Sequence, residues 1–167
     1  MRKLIFLLVG TAVLCVPAIS VAATPTPAHL ATQTCRQIRA QDGRATFRQA
    51  YHSFAGCLKQ QTPNSHQDIT NAAKTCKAER SADPVAFKAK YGTNAGNTNG
   101  AGANAFGKCV STIAKQKAKS DVSDSVAAAK TCKVLKSGDL ATFQTTYGTG
   151  KNAFGKCVAQ QSKANSA

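Results

Sequence analysis

The sequence predicts an all-α protein: three repeats of a short disulfide-stapled helical unit, placed after an N-terminal signal peptide. Three observations predict it. A motif bounded by cysteines recurs along the chain, every aromatic residue beyond residue 23 falls inside that motif, and the chain opens on a basic and then apolar segment.

The repetition is explicit. Asn71–Gly92, NAAKTCKAERSADPVAFKAKYG, aligns without a gap on Ala127–Gly148, AAAKTCKVLKSGDLATFQTTYG, with 11 of 22 positions identical. The heptapeptide NAFGKCV follows at 104–110 and again at 152–158. A more divergent copy, TCRQIRAQDGRATFRQAYHSFAGC, runs from Thr34 to Cys57 and carries one extra residue between its first Cys and its Phe. The unit is therefore Cys, then Phe-x-x-x-Tyr, then Phe-x-x-Cys, and recurrence of this kind marks a repeated supersecondary module. The predicted segments are a signal peptide over 1–23, an extended leader over 24–33, and repeats over 34–62, 69–119 and 122–164.

Each unit reads as three short helices. In the third copy Ala128, Cys132 and Leu135 share one helical face at i, i+4 and i+7, whereas the second copy has Glu79 where Leu135 stands. Asp83 and Asp139 are predicted to cap the second helix, with Pro84 in its first turn. Phe87 and Tyr91, like Phe143 and Tyr147, lie four residues apart on one side of it. Gly92 and Gly148 suit a left-handed terminating turn. Asn104 and Asn152 are the expected caps of the third helix, whose buried stripe is Phe106, Cys109, Val110 and Ile113. Pro63-Asn64-Ser65 and Ser120 to Ser125 are predicted links between units. Thr93 to Ala103, TNAGNTNGAGA, reads as a flexible loop.

Export follows from the amino terminus. Met1-Arg2-Lys3 precedes an apolar run from Leu4 to about Val21, and Val21-Ala22-Ala23 offers small residues for cleavage after Ala23. The competing reading is an uncleaved membrane anchor over 4–23. Pro17 and its small neighbours favour cleavage. Cys15 would leave with the peptide, and Leu14 before it does not suit a lipidation signal. Six cysteines then remain: Cys35, Cys57, Cys76, Cys109, Cys132 and Cys157. An even count in an exported chain reads as three disulfides. Repeat symmetry leaves two patterns, Cys35–Cys57, Cys76–Cys109 and Cys132–Cys157 within units, or Cys57–Cys76, Cys109–Cys132 and Cys35–Cys157 across them. Pairing within units is favoured because the chain ends need not meet.

The formal net charge of +15 falls to +13 once Arg2 and Lys3 are removed, with 20 basic against 7 acidic residues. Residues 24–69 carry +3, 70–120 carry +7 and 121–167 carry +3. Such an excess favours an anionic cell-wall polymer, anionic lipid or a nucleic-acid backbone as partner. No protein partner is indicated. Lys74, Lys77, Arg80, Lys88, Lys90, Lys115, Lys117 and Lys119 are the candidate polyanion contacts, and the simpler alternative is a solvated helix face. The nine aromatics, Phe47, Tyr51, Phe54, Phe87, Tyr91, Phe106, Phe143, Tyr147 and Phe154, are needed as core. None is spare for stacking on bases.

Nothing in the pattern predicts catalysis. No C-x-x-C pair occurs, and His29, His52 and His66 do not recur between copies, so neither a metal site nor a redox or haem site is expected. No cofactor is expected. The acids Asp42, Asp68, Glu79, Asp83, Asp121, Asp124 and Asp139 suggest no acid–base pair, and no nucleophile or phosphate-loop motif is present.

The segments TCKAER, DPVAFKAKYG and NAFGKCV resemble a motif of exported actinobacterial proteins. The resemblance covers the second and third copies well, and the first only at its Cys, Phe and Tyr positions. It implies export and a recurring module, and transfers no active site. The expected function is that of a secreted or envelope-associated, non-enzymatic protein whose basic surface binds an anionic polymer or the cell surface. The alternatives are a membrane-active or antagonistic secreted protein, and a small-ligand binder using loop 93–103.

Overall fold

Six helices and no strand make up residues 24–92 and 104–166, the residues described by this computed structural model. Helix α1 spans Pro27–Tyr51, α2 Phe54–Ala82, α3 Pro84–Tyr91, α4 Ala105–Gly138, α5 Leu140–Tyr147 and α6 Ala153–Asn165. The predicted signal segment 1–23 and loop 93–103 lie outside the described residues.

Local chemistry starts and stops these helices. Thr26 caps α1 by accepting the His29 N–H at 3.3 Å, with Pro27 in the first turn. The expected leader 24–33 is thus corrected: only residues 24–26 precede the helix. Gly43, at φ 75° and ψ 161°, breaks α1 into two arms, a backbone that a side chain would strain. The Asp83 carboxylate accepts the Val85 and Ala86 N–H groups, and Asp139 accepts the Thr142 N–H and hydroxyl. Asn104 and Asn152 stand at N-cap positions, but neither side chain makes the capping bond. Gly148 takes positive φ as expected, whereas Gly92 ends α3 at φ −81°.

The largest departure from expectation is continuity. Pro63-Asn64-Ser65 lies inside α2, and Ser120 to Ser125 lies inside α4, so both predicted links are helical. The buried residues of α2 are Cys57, Gln61, Ser65, Asp68, Ala72 and Cys76, a single stripe at spacings of three and four. Its middle positions are polar, so the apolar periodicity disappears while the helix continues. Pro63 is exposed, and the Thr62 hydroxyl bonds the Leu58 carbonyl at 2.7 Å one turn back. Helix α4 keeps its stripe through Ala114, Ala118, Val122 and Ser125.

The disulfides are Cys35–Cys57, Cys76–Cys109 and Cys132–Cys157, each with Cα atoms 6.0 Å apart. Each bridge contributes about 3 kcal/mol by constraining the unfolded chain. Two apolar clusters form around them. One joins Ile38, Phe47 and Tyr51 of α1 to Val122 and Val126 of α4, Phe143 and Tyr147 of α5, and Phe154 and Val158 of α6. The other gathers Leu30, Ala72, Phe87, Tyr91, Ala105, Val110 and Ala114. Phe54 and Phe106 pack at the margins of these clusters half-buried, and the other seven aromatics are buried. Leu135, expected on a buried face, is 42% exposed. Helices α2 and α4 pass through both clusters, and between the clusters they meet along polar side chains.

Candidate functional site

Charge is distributed unevenly between inside and outside. Six of the seven acidic side chains are engaged within the fold, and the seventh, Asp42, is half-buried with its Oδ2 atom unpartnered. Asp83 and Asp139 cap helices, and Glu79 binds the Lys90 ammonium at 2.7 Å and the Tyr91 hydroxyl at 3.1 Å. Asp124 accepts the Ser166 hydroxyl. Asp121 pairs with Lys117 at 3.3 Å, and Asp68 bonds to Asp121. Asp42 is half-buried facing Lys130 and Lys133, and burial pushes its carboxyl up to about 6 against their pull. Of the 20 lysines and arginines, all but Lys108 and Lys117 are exposed.

The sequence-predicted lysines do not form one patch. Lys90 and Lys117 are committed to salt bridges, and the Arg80 guanidinium lies 5.2 Å over the Phe106 ring. The Glu79 contact holds the Lys90 ammonium above its ordinary range, and the Lys90 hydrogen bond, foremost, depresses the Glu79 carboxyl. Lys74 and Lys77 on α2 and Lys88 on α3 are exposed. Lys115 and Lys119, one turn apart, flank a small hollow beside Leu30, Gln33 and Gln37 of α1, while Lys117 faces the other way into a cleft with α2.

A second basic feature was not anticipated. Arg36, Arg39 and Arg44 line an open groove of about 510 Å³ together with Ala40 and Phe54. The break at Gly43 sits between Arg39 and Arg44, and both arms of α1 contribute to the groove. None of the three arginines forms a salt bridge among the described residues. A readable signal existed: four of the five arginines beyond residue 23, Arg36, Arg39, Arg44 and Arg48, fall within thirteen consecutive residues. Guanidinium groups pair with phosphate, sulfate or carboxylate through two parallel N–H bonds, which ammonium cannot do.

The third feature is a cleft of about 610 Å³ between α2, α4 and α6. Asp68, only 8% exposed, meets Asp121 there. These carboxyl groups are 53 residues apart in sequence and in no shared motif, which is why no acid pair was expected. Burial, then the Asp121 charge and hydrogen bond, push the Asp68 carboxyl up to about 7, against the pull of Lys117. Tyr51 closes one end of the cleft, its hydroxyl bonded to Ser125 and Gln61; burial is the main reason its pKa is raised. Among the described residues no group of three or more His, Cys, Asp or Glu could hold a metal ion.

No family model, curated protein or solved structure matches the chain. Three disulfides fit an oxidising, extracytoplasmic setting. No described helix is long and apolar enough to cross a membrane.

Proposed function

We propose that this is an exported, non-enzymatic protein that holds an anionic polymer against its exterior, with the arginine groove as the anchor. The export signal is cleaved after Ala23, and the three cysteine-bounded units are copies of one module, as the motif shared with exported actinobacterial proteins suggests. The observation that carries the reading is the disposition of charge. The acids are spent on caps, internal contacts and two salt bridges, so the basic residues face solvent largely uncompensated. A long polyanion touching several such side chains gains from each contact through effective concentration.

Retention on phosphate-bearing and carboxylate-bearing polymer beads tests the reading. Arg36→Gln, Arg39→Gln and Arg44→Gln together should reduce retention more than Lys130→Gln, Lys133→Gln and Lys136→Gln, which remove the same charge. Equal losses would leave a diffuse basic surface with no anchor.

A specific observation favours one alternative. Val134, Leu135 and Leu140, at 69%, 42% and 49% exposure, lie in the stretch where α4 passes into α5, which also carries the exposed Lys130, Lys133 and Lys136. Exposed apolar side chains in a lysine-rich stretch suit the surface of an anionic bilayer. Binding to vesicles of anionic lipid that is lost in Val134→Ser/Leu140→Ser would select this reading; dye release would make the protein membrane-active.

A further inference from the structure

We infer that the arginine groove grips single-stranded nucleic acid, with one base held between the Phe54 ring and the Arg39 guanidinium, and with Arg36 and Arg44 on the phosphates to either side of it. The inference rests on the polyanion reading and names which polyanion the groove takes.

The starting point is an aromatic ring left open. Each unit carries a Phe three residues before its second Cys: Phe54, Phe106 and Phe154. In the third unit Phe154 is buried, at 4% exposure. In the second, Phe106 is half-buried and the Arg80 guanidinium covers its ring, 5.2 Å from the centroid. Arg80 stands four residues after Cys76, as Arg39 stands four residues after Cys35, so Arg39 and Phe54 are the matching pair of the first unit. That pair is open. Phe54 is half-buried, Arg39 is exposed, both line the groove, and no cation covers the Phe54 ring among the described residues. The core side of the ring is taken by Phe47, whose ring centroid lies 6.4 Å away at an interplanar angle of 28°. The expectation that the core uses up every aromatic residue thus fails at Phe54.

The surroundings narrow the ligand class. Arg36, Arg39 and Arg44 line the groove with Ala40 and Phe54, and no acidic side chain joins them. Asp42, the acid nearest in sequence, faces Lys130 and Lys133 of α4 instead. The groove therefore calls for an anion, and guanidinium groups hold phosphate through paired N–H bonds.

Charge alone leaves the ring unused. An inorganic polyphosphate or an acidic polysaccharide brings no flat ring to Phe54. A lipid phosphate brings acyl chains, for which Ala40 and Phe54 are too small an apolar surface. A nucleic-acid strand supplies both parts, a charged backbone and a planar base at every unit. Bases stacked on aromatic rings, with arginines along the backbone, are the general chemistry of single-strand binding. A duplex keeps its bases stacked on one another and offers the groove only phosphates. The volume of about 510 Å³ lies in the range of sites that hold small ligands, which suits one nucleotide unit of a longer strand.

The test compares the affinity of the oxidised mature protein for two strands of equal length and charge. One is an oligodeoxythymidylate; the other has the same sugar–phosphate backbone without bases. The native protein should bind the base-bearing strand at least about fivefold more tightly. Phe54→Leu should bring the two affinities within about twofold of each other, whereas Phe54→Tyr keeps the ring and should keep the preference. The ratio is taken within one protein, so a partial folding defect cancels from it. Arg36→Gln/Arg39→Gln/Arg44→Gln should weaken binding of both strands. Equal native affinity for the two strands, or a preference undiminished in Phe54→Leu, would overturn this inference and leave the polyanion reading standing if the arginine variant still weakens both. Affinities that the arginine variant leaves unchanged would overturn the inference and the reading together.

Discussion

The carboxyl group of Asp68 on α2 hydrogen-bonds that of Asp121 on α4, between the two apolar clusters that these helices connect. Burial raises Asp68 from an ordinary 3.8 to about 7, and the neighbouring carboxylate adds to the effect. Between those values the folded chain keeps a proton that the unfolded chain has released. Stability conferred by the folded form therefore falls as pH rises through this window, with no penalty below it and the full penalty above. Asp42, raised to about 6, adds a smaller loss of the same sign. Asp68→Asn cannot ionise. Its melting temperature should match the native chain near about pH 4 and exceed it near about pH 8. Parallel melting profiles for the two proteins would contradict this account of the pair.

Helix α6 approaches α1 where Gly155 faces Ala50. A Cβ added at Gly155 would lie 2.5 Å from the Ala50 carbonyl oxygen, a rigid backbone atom. Gly155→Ala should destabilise by about 1–3 kcal/mol through forced separation of the helices. Gly138→Ala, where an added Cβ meets nothing within 4 Å, should be neutral or stabilise by up to about 1 kcal/mol. Urea denaturation of both variants checks the contrast.

Breaking one bridge should be costly everywhere. Cys76→Ala/Cys109→Ala opens a loop of sequence separation 33 and should lower stability by about 3 kcal/mol. The same double substitution at Cys132 and Cys157, separation 25, should cost nearly as much, because closure entropy changes slowly with loop length. Guanidinium denaturation under non-reducing conditions measures both.

The sequence made the bridges and the aromatic core legible for one reason. Phe, Tyr and the second Cys recur in one order in every copy, with only the lengths between them varying, so repeat symmetry left two pairings, of which the structure holds the one within units. Helix continuity was hidden because Gln61, Ser65 and Asp68 occupy the buried stripe of α2, and Pro63 imitates a break. The extra residue of the first copy was visible, but its consequence was not. Asp42 stands seven residues after Cys35, as Asp83 does after Cys76 and Asp139 after Cys132. Gly43 follows it in a left-handed conformation, and Asp42 is half-buried toward α4 instead of capping a helix. The arginine groove was legible only as the run Arg36, Arg39, Arg44 and Arg48, because its shape depends on that break, and the cleft was hidden because its side chains come from separate helices.

Salt dependence tests the central claim most directly. The affinity of the oxidised mature protein for a linear polyphosphate should be measured across a salt series, with the Arg36→Gln/Arg39→Gln/Arg44→Gln variant beside it. Binding should weaken linearly on a log–log plot, and the variant should show lower affinity and a slope shallower by about one per arginine that contacts phosphate. Binding that is independent of salt, or a variant indistinguishable from the native protein, would contradict the account.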